Sequence, residues 1–521
     1  MMAKYLNILL FLISFTTSAS AIDVDSLLLK SIGGEKGLQS IKNCQSLYMS
    51  GSASMGFMKG QFTQITDFPN NFYISIAFAG FSIEQGYDGS TAWQTDMNGK
   101  RSKVTGHEEK ELLKSLYLSS FEYILQKSDT VNIEYSGITE FNNTSCHMVT
   151  MVFPGSDTLF TYYNIETGLR EGFISKYDMM EATTIESNYK IYNDFPVATS
   201  LTSKIEPVNF TISMTIDSIT LNANIDKSKF AFNRQSKIDY LFPGHKQTET
   251  IGLKYVNGHI QIPVIINGHK KVWMILDSGA AANIFNKPVV EDLALETIGT
   301  LPAMGVAGFE DVELMQTDSI EIGNLKLYQQ VAGKMDLSQI ASESDNSENF
   351  GGIIGYDFLS RFPILIDYKN KLLTVFDPKT FRADSGGVDI DFNLSMQIPT
   401  VKAKINGIEG DFIVDLGNAI GLILHSHYVN SNLLEEQLET VDDVRNSVGG
   451  IGGIVKSRSA VAKSFEIGLI QIDSIPVILP EMQNGITKSE QIAGNIGNPV
   501  LENYKVLFDY KNSKIYLYPL E

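Results

Sequence analysis

Cysteine is nearly absent from this 521-residue chain: only Cys44 and Cys146 occur, so no disulfide framework or cysteine-rich metal site organises it. One bridge between them and two separate buried thiols are both open readings. Histidine is almost as scarce. His425-Ser426-His427 is a close pair, but it has no third ligand within helical or hairpin reach. Packing or loop roles are therefore expected of both, and no metal or cofactor is expected. A Lys-bearing glycine-rich phosphate loop and a serine nucleophile elbow are missing too. After the N-terminus, no apolar run approaches the length of a transmembrane helix. Positive charge is in deficit: 41 basic against 60 acidic residues leave −19, which argues against nucleic acid or an anionic membrane as a partner.

What is present begins with Lys4, an apolar run from Leu6 to Phe15, and small residues at Ala19-Ser20-Ala21. That order reads as a signal peptide over 1–21, so an exported protein, periplasmic or secreted, is expected. The run is too short for an anchoring helix. No Cys follows it to carry lipid. The remaining length exceeds one hydrophobic core and implies several domains.

From Asp23 to Ile41 a short helix is expected, broken at Gly33-Gly34. Alternating strands come next at Leu47–Gly51, Asn71–Ile76, Phe81–Gly89, Ala92–Gln94, His147–Phe153, Leu159–Asn164, Glu171–Tyr177 and Ile212–Leu221. Glu108 to Leu125 is the one good helix among them. A curved antiparallel sheet with a helix against it is the architecture expected over 22–240. At Gln85-Gly86-Tyr87-Asp88-Gly89-Ser90-Thr91-Ala92-Trp93 and Tyr162-Tyr163-Asn164-Ile165-Glu166-Thr167-Gly168-Leu169, the chain resembles the lipoprotein-carrier and lipoprotein-sorting family. That resemblance covers about 23–233 and implies a half-open barrel with an apolar concave face for a lipid or other hydrophobic ligand. The alternative is a sheet that packs only on its own helix or on the downstream domains. Arg234 to Thr250, with Pro243-Gly244 and no periodicity, reads as a linker.

Residues 251 to 521 repeat. Ile262-Pro263, Asn267-Gly268 and Asp277 are answered in order by Ile398-Pro399, Asn406-Gly407 and Asp415. Ile320–Gly323, Ile353–Gly355 and Asp367-Tyr368-Lys369-Asn370 are answered by Phe465–Gly468, Asn495–Gly497 and Asp509-Tyr510-Lys511-Asn512. Ordered matches at nearly constant offset indicate duplication. Two copies make a pseudo-twofold pair of mostly β lobes, 251–380 and 388–521, rather than a solenoid. The Asp-Tyr-Lys-Asn segments read as structural hairpins. Ser338 to Asn349 reads as a surface loop expanded in the first copy only.

Each copy drives an apolar strand into a carboxylate and a glycine turn. Val272–Leu276 ends in Asp277-Ser278-Gly279, and Phe412–Val414 ends in Asp415-Leu416-Gly417. A charge leaving a core strand needs hydrogen bonds or a partner. Gly279 and Gly417 let backbone N–H groups turn toward it. With these motifs ahead of Ile353-Ile354-Gly355 and Asn495-Ile496-Gly497, the chain resembles the aspartic peptidases, closest to the retropepsin-like branch with two lobes fused. Asp384-Ser385-Gly386 repeats the tripeptide without a core strand before it and is read as linker.

The resemblance implies Asp277 and Asp415 as the catalytic pair, supported by Ser278, Gly279 and Gly417. It implies flaps at Ala303–Gly308 and Val448–Gly453, with Gly305, Gly308, Gly450 and Gly452 closing over an extended peptide or protein substrate. Two such carboxylates share a proton: the ionised one draws a proton from water, the protonated one polarises the carbonyl. Leu416 departs from the pattern, since the family has Ser or Thr there. One half of a cross-lobe brace is expected to be missing, with a buried group unpaired at about 1–2 kcal/mol. Hence an exported aspartic endopeptidase is expected. The alternative is a degenerate peptide-binding, or lipid- or lipoprotein-binding, envelope protein.

Overall fold

The computed structural model describes residues 23–125, 130–155, 158–234, 238–244, 246–342, 349–481 and 485–520. The expected signal peptide lies outside the described residues, as do 343–348 of the expected surface loop, whose first residues instead form a short helix, Ser338–Ser342. The chain is mostly β.

Thirteen antiparallel strands form the first sheet. One meander runs from Ser46–Met55 to Arg101–Lys103 and a second from Asn132–Phe141 to Phe210–Leu221. The two are joined by pairing Ser46–Met55 with Phe210–Leu221. Tight turns hold the register. Asn142-Asn143 and Asn193-Asp194 adopt left-handed φ of 49° and 59°, and of 45° and 66°, as two-residue hairpin loops require. Helices Val24–Ser31 and Gly34–Lys42 part at Gly33, where φ is +91°. The single helix expected over Glu108–Leu125 is instead two, Gly106–Ser119 and Glu122–Leu125. They break at Phe121, whose φ of 58° no helix accommodates and whose ring packs edge-on against Phe195. Leu27, Leu28, Tyr117 and Tyr123 lay these helices onto Val149, Met151, Leu159 and Tyr163 of the sheet. Cys44 and Cys146 are two separate buried thiols.

The duplication is visible strand by strand. Lys270–Leu276 pairs in parallel with Phe350–Ile354, and Ile408–Val414 with Gly494–Ile496. Asn267 Oδ1 accepts from the N–H groups of Asp318 and Ser319, and Asn406 Oδ1 from those of Lys463 and Ser464. Six strands join the lobes in the order Thr248–Gly252, Leu372–Phe376, Ile364–Asp367, Tyr504–Asp509, Lys514–Pro519, Val388–Ser395. At its centre Ile364 pairs with Phe508 and Ile366 with Val506, which puts equivalent strands side by side. Asp367 and Asp509 close their hairpins by accepting from the backbone and side chain of Asn370 and Asn512. Asp384-Ser385-Gly386 is an exposed turn.

The segment read as a linker is instead docked. Tyr240–Leu241 pairs with Leu325–Met335, Thr248–Gly252 with Leu372–Phe376, and Asp239 is buried against Arg361. Polar composition hid this, because its side chains satisfy partners distant in sequence. Arg361 also donates to Asp96 of the first sheet at 2.8 Å. Removing one member of such a buried set costs on the order of 3–5 kcal/mol. The first sheet touches the lobes elsewhere too. Met58 and Phe81 pack with Ile298, Leu301 and Leu314, and Asp178 accepts from Ser489 Oγ and Glu490 N at 2.6 and 2.8 Å. A cavity of about 690 Å³ lies along this seam between Arg101, Tyr356 and Tyr510.

Candidate active site

The fold places the ends of two core strands against one another. Lys270–Leu276 and Ile408–Val414 each continue as backbone into their parallel neighbour: Asp277 N donates to Ile354 O and Asp415 N to Ile496 O, both at 2.9 Å. The chain then turns at Gly279 and Gly417. Gly279 N donates to Asp277 Oδ1 at 2.7 Å, and Gly417 N to Asp415 Oδ1 at 2.9 Å. Neither glycine has room for a side chain. A Cβ on Gly279 would lie 2.6 Å from Asp415 Oδ1, and one on Gly417 2.5 Å from Asp277 Oδ2. Each turn thus packs its backbone on the other lobe's carboxylate, which brings the two carboxylates together.

Both sit half-buried on the floor of a cleft of about 300 Å³. Burial, and then the charge of Asp415, hold Asp277 protonated well above the usual carboxylate range. Burial raises Asp415 as well, but hydrogen bonds from Asn495, Asp277 and the N–H groups of Gly417 and Asn418 draw it back. Such a pair titrates as one unit that holds a single proton over a wide range.

Ser278 braces the lobes. Its hydroxyl donates to Val414 O at 2.6 Å and accepts from Leu416 N at 3.0 Å. Leu416 is fully buried in the core the lobes share, so apolar packing fills the place of the absent hydroxyl. A second brace, not visible in the sequence, stands beside it. Asn498 Nδ2 donates to Leu416 O at 2.6 Å and to Gly258 O at 2.8 Å, while Asn498 Oδ1 accepts from Tyr368 at 2.7 Å. Asn498 thereby ties Leu416 O of the second lobe to Gly258 and Tyr368 of the first.

The expected flaps are the tips of two long hairpins, Thr297–Met304 with Phe309–Ile322, and Glu439–Gly450 with Gly453–Ile467. They meet above the carboxylates. Ala307 N donates to Ile451 O at 3.4 Å, and a Cβ on Gly305 would fall 2.1 Å from that same oxygen. Gly308 faces Gly452, and Gly450 faces Val306. The turn at 485–488 supports the contact, with Ile486 N donating to Gly305 O at 3.0 Å. Ile275, Ile353, Ile413, Ile423 and Ile454 give the cleft aliphatic walls.

Sequence reasoning missed two neighbours of the pair. His425, read as a loop or packing residue, is fully buried and its Nε2 lies 2.8 Å from Asn495 Oδ1. Asn495 Nδ2 in turn donates to Asp415 Oδ2 at 2.8 Å. The signal was there: the repeat sets Asn495 against Ile353, a polar residue where the first copy is apolar. Among the described residues, no His, Cys, Asp and Glu group is arranged to hold a metal.

Residues 262–358 match the family model described as aspartyl protease. No curated protein matches the chain by sequence. An aspartic proteinase from Irpex lacteus is similar at 10% identity over 53% of this chain and 98% of its own, with a TM-score of 0.34. A LolA superfamily protein from Nitrosomonas europaea is similar at 6% identity over 40% of this chain and 97% of its own, TM-score 0.28. A putative outer membrane lipoprotein-sorting protein domain from Vibrio parahaemolyticus is similar at 8% identity over 38% of this chain and 95% of its own, TM-score 0.27. Residues 262–358, most of the first lobe, thus carry an aspartyl-protease-like domain.

Proposed function

We propose that this protein is an exported aspartic endopeptidase. One observation carries the reading: Asp277 and Asp415 lie together on the floor of a cleft roofed by two meeting hairpins. A water held between them loses a proton to the ionised carboxylate as its oxygen attacks, while the protonated carboxylate polarises the scissile carbonyl. An extended peptide pairs with the hairpin backbones. The aliphatic walls favour uncharged, apolar side chains beside the cut bond. Entry requires the tips at Gly305 and Ile451 to part. Leu416, which favoured a degenerate binding protein, leaves both hydrogen bonds of the Ser278 brace in place. Export rests on the sequence of residues 1–21 and is tested by sequencing the mature N-terminus after expression of the full chain.

A peptide library incubated with and without pepstatin at acidic pH tests the activity. Pepstatin-sensitive cutting that disappears in both Asp277→Asn and Asp415→Asn is the expected result. Cutting that persists in either variant would overturn the assignment.

A further inference from the structure

The two halves of the pair are alike in backbone and unlike in what stands behind them. Strand Ile284–Asn286 sets Ile284 against Ile353, and strand Leu422–Leu424 sets Ile423 against Asn495. Asn495 therefore occupies the place of Ile353, and both residues line the cleft. Behind Asp277 this position offers only a hydrocarbon. Behind Asp415 it offers an amide that donates at 2.8 Å to the oxygen Gly417 and Asn418 leave free, for those two N–H groups both reach Oδ1.

Asn495 presents its NH2 end to Asp415 and its Oδ1 away from it, the orientation that suits an ionised, accepting carboxylate. Oδ1 then faces His425 Nε2 at 2.8 Å, a contact that is a hydrogen bond when that nitrogen carries the proton. His425 is 0% exposed and Asn495 6%, so the bond between them is sheltered from water. Burial pushes the imidazole down to about 4, which keeps it a neutral donor across mildly acidic pH.

We propose that Asn495, clamped by His425, is a positioning residue that keeps the negative charge on Asp415 and the shared proton on Asp277. This rests on reading the pair as a peptidase dyad, and adds to it which member is the base. Asp415 takes the proton of the attacking water, and Asp277 presents its proton to the carbonyl oxygen. The other titratable groups near the pair are few: Asp277 opposite Asp415, His425 behind Asn495, His259 on the cleft wall, and Tyr510, which feels the charge of Asp277.

The test makes the second lobe match the first. In Asn495→Ile, the acidic limb of the kcat/KM profile should move up by about one pH unit, because the ionised carboxylate loses a donor. The alkaline limb should stay, since the charge on Asp415 is present on both sides of that step. His425→Phe should move the acidic limb the same way by less, and His425→Gln, which retains an N–H donor, should restore it. A uniform loss at all pH, or an unmoved acidic limb in a folded Asn495→Ile, would overturn the proposal. Titration of 13C-carboxyl-labelled aspartates in the full chain gives the same answer without turnover. The step that Asn495→Ile raises should vanish in Asp415→Asn; its vanishing in Asp277→Asn instead would overturn the proposal. A wild-type chain that cuts nothing would remove the peptidase reading, while the titration would still decide where the charge lies.

Discussion

The Ser278 hydroxyl accepts the backbone N–H of Leu416 at 3.0 Å across the lobe boundary and donates to Val414 O at 2.6 Å. One hydroxyl thus serves two groups of the opposite lobe, while Asn498 serves Leu416 O, Gly258 O and Tyr368. Leaving buried polar groups unpaired costs about 1–3 kcal/mol each. Ser278→Ala is therefore expected to lose about 2–6 kcal/mol and Asn498→Ala somewhat more, since it strands three groups. Leu416→Thr is expected to destabilise as well, because it removes a fully buried aliphatic side chain from the core. Urea denaturation of the three variants checks the order. A stabilised Leu416→Thr would show that the missing hydroxyl, not the packing, governs this joint.

His425 makes stability depend on pH in a stated direction. Its folded pKa is about 4 against an ordinary 6.5. Between those values the unfolded chain takes up a proton that the folded chain refuses. Stability from this group is whole above pH 6.5 and is lost as pH falls toward 4, by up to about 3 kcal/mol. The dyad carboxylates, raised rather than lowered, push the other way, so the effect is read as a difference. His425→Gln should gain on the wild type in melting temperature as pH falls from 6.5 to 4. A constant gap between the two proteins over that range would show that His425 titrates alike in the folded and unfolded chains.

The pair itself was legible because its signature is local: an apolar strand, a carboxylate, a glycine, written twice at the same spacing. The hairpins closed by Asp367 and Asp509 were legible for the same reason. What stayed hidden is set by contacts across long sequence distances. Asn498 looks like an ordinary residue after Asn495-Ile496-Gly497 until Leu416 and Gly258 are brought to it. Asp239 lies in a polar stretch that reads as a tether, yet its carboxylate is paired with Arg361. In the first sheet, Met58–Asp67, Asn132–Phe141, Met180–Tyr192 and Phe195–Glu206 escaped notice. Such strands carry many Thr, Ser, Lys and Glu on an open face, and their alternation of burial is set by sheet neighbours more than by composition.

Asp178 links the N-terminal sheet to the roof of the cleft. It accepts from Ser489 Oγ and Glu490 N, just past the turn at 485–488 whose Ile486 N–H holds Gly305 O of the first hairpin tip. On the other side Met58 packs against the same hairpin, where a Cβ on Gly299 would lie 2.1 Å from its sulfur. The sheet thus grips the first flap from its stem and, through Asp178, from its tip. Asp178→Ala removes the second grip and leaves the core untouched, so global melting should shift little. Amide hydrogen exchange at Ile486, Gly305 and Ala307 should quicken, on the order of tenfold for about 1.4 kcal/mol of lost restraint. Unchanged exchange at those three amides would show that the flap tips hold each other closed without help from the N-terminal sheet.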